Sequence, residues 1–508
     1  MKAKKYLMAF AAIATLSSCS QDEEFVLNNG QSSYDKNAVT FGTYLGQSPE
    51  TRASVTTIDV MKSAGYSGFG VFAYNTGTSN FDGASSAAPN FMCNTSVKWD
   101  GTATAWTYAD EKQWPDDEKV SFFAYAPYTE TPGTENITAL PVETAAGAPK
   151  LSFKVAKTVG DQIDLLYAEA KTDQTKETNS GKVQFTFKHA LSRVGFKAKL
   201  NGKASDDLKS ITINSITLKS SQLSVSADLN LLSGAWSNHT KDEMEYAFSA
   251  GDFIAGSNIF NSADAEKDES VQLTDAEKYL MLIPTEASGK ASVEITINYV
   301  EETTDGSKTS YSVPVTFEQA FEQGKAYNFV LAISLESSGE ISSNVKFDVV
   351  NVVDWNDPDD SAGDDVSVGY EAGKAATIIL NSSTGFSNGT DENIASEFMN
   401  GSSRLVIRFG SDGSFTMPDF SSTDNSDPNY FKVDFLEGTD IFDSGLSLLG
   451  WSKTPVAAWT DYELGFDSQD EYINNLKEKG IFVEAGDIIS VKSGETINLY
   501  PVYYYSAF

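Results

Sequence analysis

Long apolar stretches are missing from this sequence. The run from Tyr6 to Leu16 is the most apolar segment, and it is too short to cross a bilayer. Histidine and cysteine are nearly absent, at two each in 508 residues, which leaves little material for a metal cluster or a nucleophile–base pair. Positive charge is also scarce. Thirty-seven Lys and Arg face 71 Asp and Glu, a formal charge of −34, and that excludes nucleic acid as a natural partner because phosphates would go unneutralised. Amphipathic helical patterns are missing until near the end, and no phosphate loop or nucleophile elbow occurs. What is present suffices for cores: 40% hydrophobic and 12% aromatic residues. The length suits roughly two to four domains.

Met1 to Ser18 reads as a secretory signal, with Lys2, Lys4 and Lys5 before the short apolar run. Leu16-Ser17-Ser18-Cys19 then resembles the lipobox of bacterial lipoproteins. The resemblance implies a cut before Cys19, a lipid on its thiol and anchorage to the outer membrane. Ser20-Gln21-Asp22-Glu23-Glu24 resembles the surface-export signal of Bacteroidales lipoproteins. Lipidation of Cys19 would leave Cys93 as the remaining thiol, so no intrachain disulfide is expected.

Past residue 40 the texture is that of strands. Phe69 to Tyr74, Val120 to Tyr125 and Val183 to Phe187 are short runs rich in Val and aromatics, separated by Gly, Asn, Asp, Ser and Pro. Val293 to Tyr299 alternates strictly, whereas Ile211 to Leu218 alternates with a phase slip at Ser215 that predicts a bulge. Antiparallel β-sandwiches follow from this pattern. Asn356 to Asp365 is polar and acidic. A solvated linker is the better reading there than a calcium site, because the spacing matches no calcium loop. Asp360-Ser361-Ala362 also matches a short O-glycosylation motif of Bacteroidales secreted proteins.

Several stretches together resemble the fimbrillin family, subunits of the type V pili of Bacteroidales. They are Trp106, Lys112 to Pro115, Val120 to Pro127, Asp164 to Ala168, Val183 to Leu200, Gly324 to Leu331 and Val353 to Trp355. The resemblance covers about residues 40–357. It implies an all-β fold of two tandem transthyretin-like β-sandwiches, exported as a lipoprotein. In such pilins a protease cuts after Arg or Lys, releases an N-terminal strand and opens a groove that a neighbouring pilin subunit fills. Arg52-Ala53 sits where that cut would fall, in a polar stretch with Pro49, and Ala38 to Gly42 is the candidate removable strand. Arg193, Arg404 and Arg408 lie in strand-like segments, so Arg52 is the arginine left for an Arg-specific protease.

Residues beyond about 366 exceed a two-sandwich subunit. Leu448 to Lys453, Ala485-Gly486-Asp487 and Thr496 to Tyr503 resemble the Listeria–Bacteroides repeat, a small β-grasp-like module of secreted surface proteins. A long insertion separates Trp451 from Ala485. Within it, Ser468 with Glu471 suggests a capping box, Tyr472, Ile473 and Leu476 give one apolar face, and Gly480 ends a short helix. The expected organisation is a signal peptide over 1–18, a lipidated leader with the removable strand over 19–52, sandwiches over 53–190 and 191–357, an acidic linker over 358–369 and a β-rich module with one short helix over 370–508.

The resemblance points to a structural or adhesive pilus subunit, first on the cell surface as an outer membrane lipoprotein and then in the fimbrium. A folded C-terminal module favours the tip. A stalk subunit whose tail Leu499 to Tyr505 donates a strand is the variant reading. A surface lipoprotein that binds glycan or a host ligand without polymerising is the alternative from another class, with Trp459, Tyr503 and Tyr505 as candidate ligand contacts and Trp451 assigned to the core. No enzyme, cofactor or metal is expected. His189 sits among apolar residues and reads as structural, His239 lies in a turn, and Cys93 beside Phe91 and Met92 reads as a buried, inert thiol.

Overall fold

The computed structural model describes residues 37–45, 56–83, 88–201, 206–264, 267, 269–275, 278–287, 289–335, 341–354, 375–383, 394–409, 412–435, 446–456, 459–460 and 468–505. In the first part, β1 (Thr40–Leu45) precedes one helical turn, α1 (Ile58–Met61). Then come β2 (Phe69–Asn75), β3 (Met92–Asp100), β4 (Ala105–Tyr108) and β5 (Val120–Ala126). β6 (Asn136–Ala139) and β7 (Lys150–Lys154) pair beside them, and β8 (Leu166–Ala168), β9 (Lys171–Gln174) and β10 (Lys182–His189) complete the set. The strands run β2-β3-β4-β1-β10-β8-β5, and β5 pairs back onto β2, so the sheet closes on itself.

β2 and β5 lack polar alternation because both of their faces are buried. Phe69, Val71, Ala73, Phe122 and Ala124 fill the interior of the closed sheet. Phe72, Tyr74, Phe123 and Tyr125 point the other way, into a core shared with the second sandwich.

That sandwich starts with β11 (Ser192–Asn201), β12 (Leu208–Ser220), β13 (Ser224–Asn230), β14 (Trp236–Lys241) and β15 (Met244–Ser249). The short β16 (Ile259–Phe260), β17 (Val271–Gln272) and β18 (Leu280–Leu282) follow. It ends with the long β19 (Ala291–Thr303), β20 (Lys308–Gln319), β21 (Lys325–Leu335) and β22 (Ile341–Asp354). One layer is β17-β11-β21-β22, and the other contains β15-β12-β19-β20. Phe196 stacks on Phe329 within the first layer, and Phe317 and Phe248 of the second reach these rings at 5.4 and 5.3 Å. The bulge predicted at Ser215 is present as a register shift between Ile213 and Ser215 against β19. Asn298 donates a 2.9 Å hydrogen bond to the Ser215 hydroxyl there. β13 pairs with β7 from Ser226 to Asn230, so one sheet, β14-β13-β7-β6, runs across the expected boundary at 190/191.

The C-terminal module contains β23 (Ala376–Asn381), β24 (Ile394–Phe398), β25 (Arg404–Phe409), β26 (Gly413–Thr416), β27 (Phe431–Phe435) and β28 (Leu446–Ser452). After β29 (Trp459–Thr460) come α2 (Gln469–Glu478), β30 (Phe482–Val483), β31 (Ile488–Val491) and β32 (Thr496–Tyr505). Trp451 is a core residue, as expected, with the rings of Phe398, Phe420 and Phe431 5.3–5.8 Å away. α2 is the one helix longer than a single turn among the described residues. Ser468 caps it by accepting the Glu471 N–H, and Tyr472 and Leu476 bury against Val502. It ends in a Schellman motif: Gly480 at φ +69° and Ile481 donate to the Lys477 and Leu476 carbonyls.

The module is sutured to the second sandwich. β25 adds parallel to β20, from Ser310 opposite Leu405 to Ser312 opposite Ile407, producing one eleven-stranded sheet. Ser310 donates to the Ser402 hydroxyl at 2.6 Å, and Lys308 donates to the Asn400 carbonyl at 3.1 Å. The Arg408 guanidinium lies over Tyr311, which itself stacks on Tyr299. An edge that would otherwise template foreign strands is thereby covered. Val406 lies mid-strand with partners on both sides, so Val406→Pro should split the joint. Calorimetry of this variant is expected to resolve a separate, earlier melting transition of the module. A single unshifted transition would show that the suture contributes nothing.

Candidate functional site

The closed sheet depends on β1, inserted between β10 and β4. It runs parallel to β10 from Thr40 opposite Lys182 to Leu45 opposite Phe187, and it meets β4 at Phe41 opposite Trp106. Val39, Phe41 and Leu45 point inward and are buried, and Tyr44 is half exposed. The Phe41 ring stacks on Phe185 at 5.7 Å and meets Tyr108, Phe69 and Phe122 at 5.5–6.1 Å. Burying such a side chain contributes about 1.5–3 kcal/mol. Ahead of Thr40, Val39 donates to the Lys112 carbonyl and Trp114 donates to the Asn37 carbonyl, each at 2.8 Å. The Tyr108 hydroxyl donates to the Val39 carbonyl and accepts from the Lys112 N–H; burial pushes its pKa up to about 12, so it stays a donor. Without β1, this position would be an apolar slot with unpaired backbone along β10.

The chain is fastened again immediately downstream. The Thr56 N–H donates to Asp164 Oδ2 at 2.9 Å, and Asp164 Oδ1 lies 2.9 Å from His189 Nδ1, with all three residues buried. Thr57 caps α1, and Met61 enters the core of the closed sheet. Burial and the nearby Asp164 carboxylate push the Tyr66 hydroxyl well above its ordinary pKa. The structural reading of His189 is thus given a partner. Its link to Thr56 was not visible in the sequence, although Asp164 to Ala168 is one of the stretches that carry the family resemblance.

Cys19, Arg52 and Ala53 lie outside the described residues. The other three arginines all sit in strands paired on both sides: Arg193 in β11 and Arg404 and Arg408 in β25. Tyr503 is not a ligand contact. It is 1% exposed in the core of the module, and its hydroxyl donates to the Ser382 carbonyl at 2.7 Å. The strand carrying it explains this: β32 pairs with β23 on one side and β28 on the other. Leu499 to Tyr505, the tail of the variant reading in which this chain donates a strand, pair with β23, β28 and β29 of their own module. Trp459 and Tyr505 belong to paired strands, and their side chains lie outside the described part.

Cys93 departs from the expected full burial. It is half-buried, lining a surface hollow with Phe91, Tyr108, Lys112 and Glu143. Desolvation, then the Glu143 carboxylate, raise its pKa, which agrees with an unreactive thiol. Among the described residues no cluster of three His, Cys, Asp or Glu side chains could hold a metal ion, and no helix is long and apolar enough to cross a membrane.

Two outcomes follow from this chemistry. Asp164→Ala leaves the Thr56 N–H and the His189 ring without their acceptor, and chemical denaturation should show a loss of about 3 kcal/mol or more; an unchanged midpoint would dismiss the anchor. Alkylation of Cys93 in the folded protein, followed by mass spectrometry, should be slower than for a free thiol at pH 7–8. Its rate should climb only above the pH at which free thiols ionise.

Comparison with known proteins agrees with this geometry. A fimbrium subunit, Fim1C, of Phocaeicola vulgatus is 37% identical over 202 residues, covering 38% of this chain and 50% of the relative. The chain thus spans about half the length of that curated relative. A solved fimbrial protein from Bacteroides vulgatus superposes with a TM-score of 0.50 at 25% identity, covering 63% of this chain and 99% of the other. Residues 51–355 match the model of the fimbrillin-like family, and the chain belongs to that family.

Proposed function

We propose that this chain is a structural and adhesive subunit of a cell-surface pilus, assembled by strand exchange after a cut at Arg52 and placed at the fibre tip. One observation carries the reading: a buried strand upstream of Arg52 fills a slot in the first sandwich, while β32 is locked inside a sheet. The molecule can accept a strand, and the last strand among the described residues, β32, is already paired within its own module. The family match begins at residue 51, beyond β1, which fits a body that starts near the cut. With Leu45 held in β1 and Thr56 held by Asp164, cleavage between them frees the upstream strand and leaves the downstream chain in place.

In this reading a lipid on Cys19 tethers the precursor to the outer membrane for display on the surface. An Arg-specific protease then exchanges that tether for a place in the fimbrium, and strand complementation supplies the other pilin subunits as partners. The C-terminal module, which resembles the Listeria–Bacteroides repeat, presents the adhesive surface to glycan or host. Trp459 remains a candidate contact there.

Mass spectrometry of filaments sheared from cells should find a mature N-terminus at Ala53. Arg52→Ala should keep the protein cell-bound, lipidated at Cys19 and out of filaments. Filaments containing the uncut chain, or an Arg52→Ala variant that still assembles, would overturn the proposal and favour a surface lipoprotein that never polymerises.

A further inference from the structure

The slot holds one misfit. Inward positions along β1 are Val39, Phe41, Thr43 and Leu45, and the Thr43 hydroxyl is buried with no hydrogen-bond partner among the described residues. An unpaired buried hydroxyl is expensive, whereas an isosteric methyl at the same place is not. β1 also runs parallel to β10, the slightly weaker ladder. Phe41, two residues away, is by contrast held by four aromatic rings.

We propose that β1 is a place-holder, and that its slot is shaped for a strand of another pilin subunit carrying an aliphatic, an aromatic, a β-branched aliphatic and an aliphatic residue at the positions of Val39, Phe41, Thr43 and Leu45. This rests on the strand-exchange reading above. The aromatic is the anchor, because the ring at this position packs against Phe69, Tyr108, Phe122 and Phe185 at once. The residue replacing Thr43 is what lets the incoming strand win, since it seats a methyl where β1 buries an unpaired oxygen. The donor is assigned to a different chain, because β32 is paired along its length within its own module, with β23 over Thr496 to Leu499 and with β28 over Tyr500 to Tyr505.

The test uses the purified full chain, nicked after Arg52 by an arginine-specific protease, and fluorescent peptides spanning residues 37–45 read by anisotropy. The peptide with Thr43→Val should bind about tenfold tighter than the native peptide. The peptide with Phe41→Ala should bind at least about a hundredfold more weakly, and Phe41→Tyr should restore most of the loss. Equal affinities across the four peptides would overturn the proposal while leaving strand exchange standing. If no peptide in the series bound the nicked protein, the exchange reading itself would fall, and the proposal with it. Self-assembly of the nicked protein without peptide would overturn the assignment of the donor to a different chain.

Discussion

A strand inside a sheet needs a hydrogen-bonding neighbour on each side, and the first sandwich meets that need at one position with residues 40–45. β4 and β10, the walls of that position, come from residues 105–108 and 182–189, so the closing strand ties together parts of the chain far apart in sequence. The aromatic core beneath it, from Phe69 and Trp106 to Phe122 and Phe185, is sealed by Phe41. The proposed strand exchange follows from that one insertion, because a strand seated by side chains and backbone alone can be replaced by another of the same pattern.

The C-terminal module answers the opposite problem. β20 would be a bare edge of the second sandwich, open to pairing with any exposed strand. β25 occupies that edge in cis, and hydroxyls on both sides, Ser310 and Ser402, fix the register. The same module absorbs its own last strand between β23 and β28. One end of the molecule is thus closed by a strand from upstream of Arg52, and at the other the β20 edge is filled from within. The proposed place at the fibre tip rests on that asymmetry more than on any single residue.

Strand positions, the bulge at Ser215, the capped helix from Gln469 to Glu478 and the core role of Trp451 were legible in the sequence because each depends on local pattern: alternation, a phase slip, a cap, a glycine at positive φ. The pairings of β7 with β13 and of β20 with β25 were not, since nothing in either segment marks its partner across roughly 70 to 95 residues. The Tyr503 side chain was misread for a related reason. In Tyr503-Tyr504-Tyr505 the residues look alike, and which face of β32 is buried is decided by its neighbours β23 and β28. Asp164 was visible as part of a stretch, yet its hold on Thr56 required the fold.

Charge constrains how such molecules can meet. At a formal charge of −34, copies repel one another until ions screen them over about 8 Å at physiological ionic strength. Attraction must therefore act at contact, without help from opposite charges. The ion pairs on the surface, such as Lys188 with Glu169 or Lys241 with Glu286, are exposed and internal, and pairs of that kind contribute little. The slot beneath β1 is lined by Val183, Phe185, Phe187, Trp106 and Phe69, all apolar. Backbone hydrogen bonds and buried rings act only after close approach, so under the proposed strand exchange an acidic surface and an apolar slot are complementary: the first would keep unassembled copies apart, and the second would join only a strand that fits.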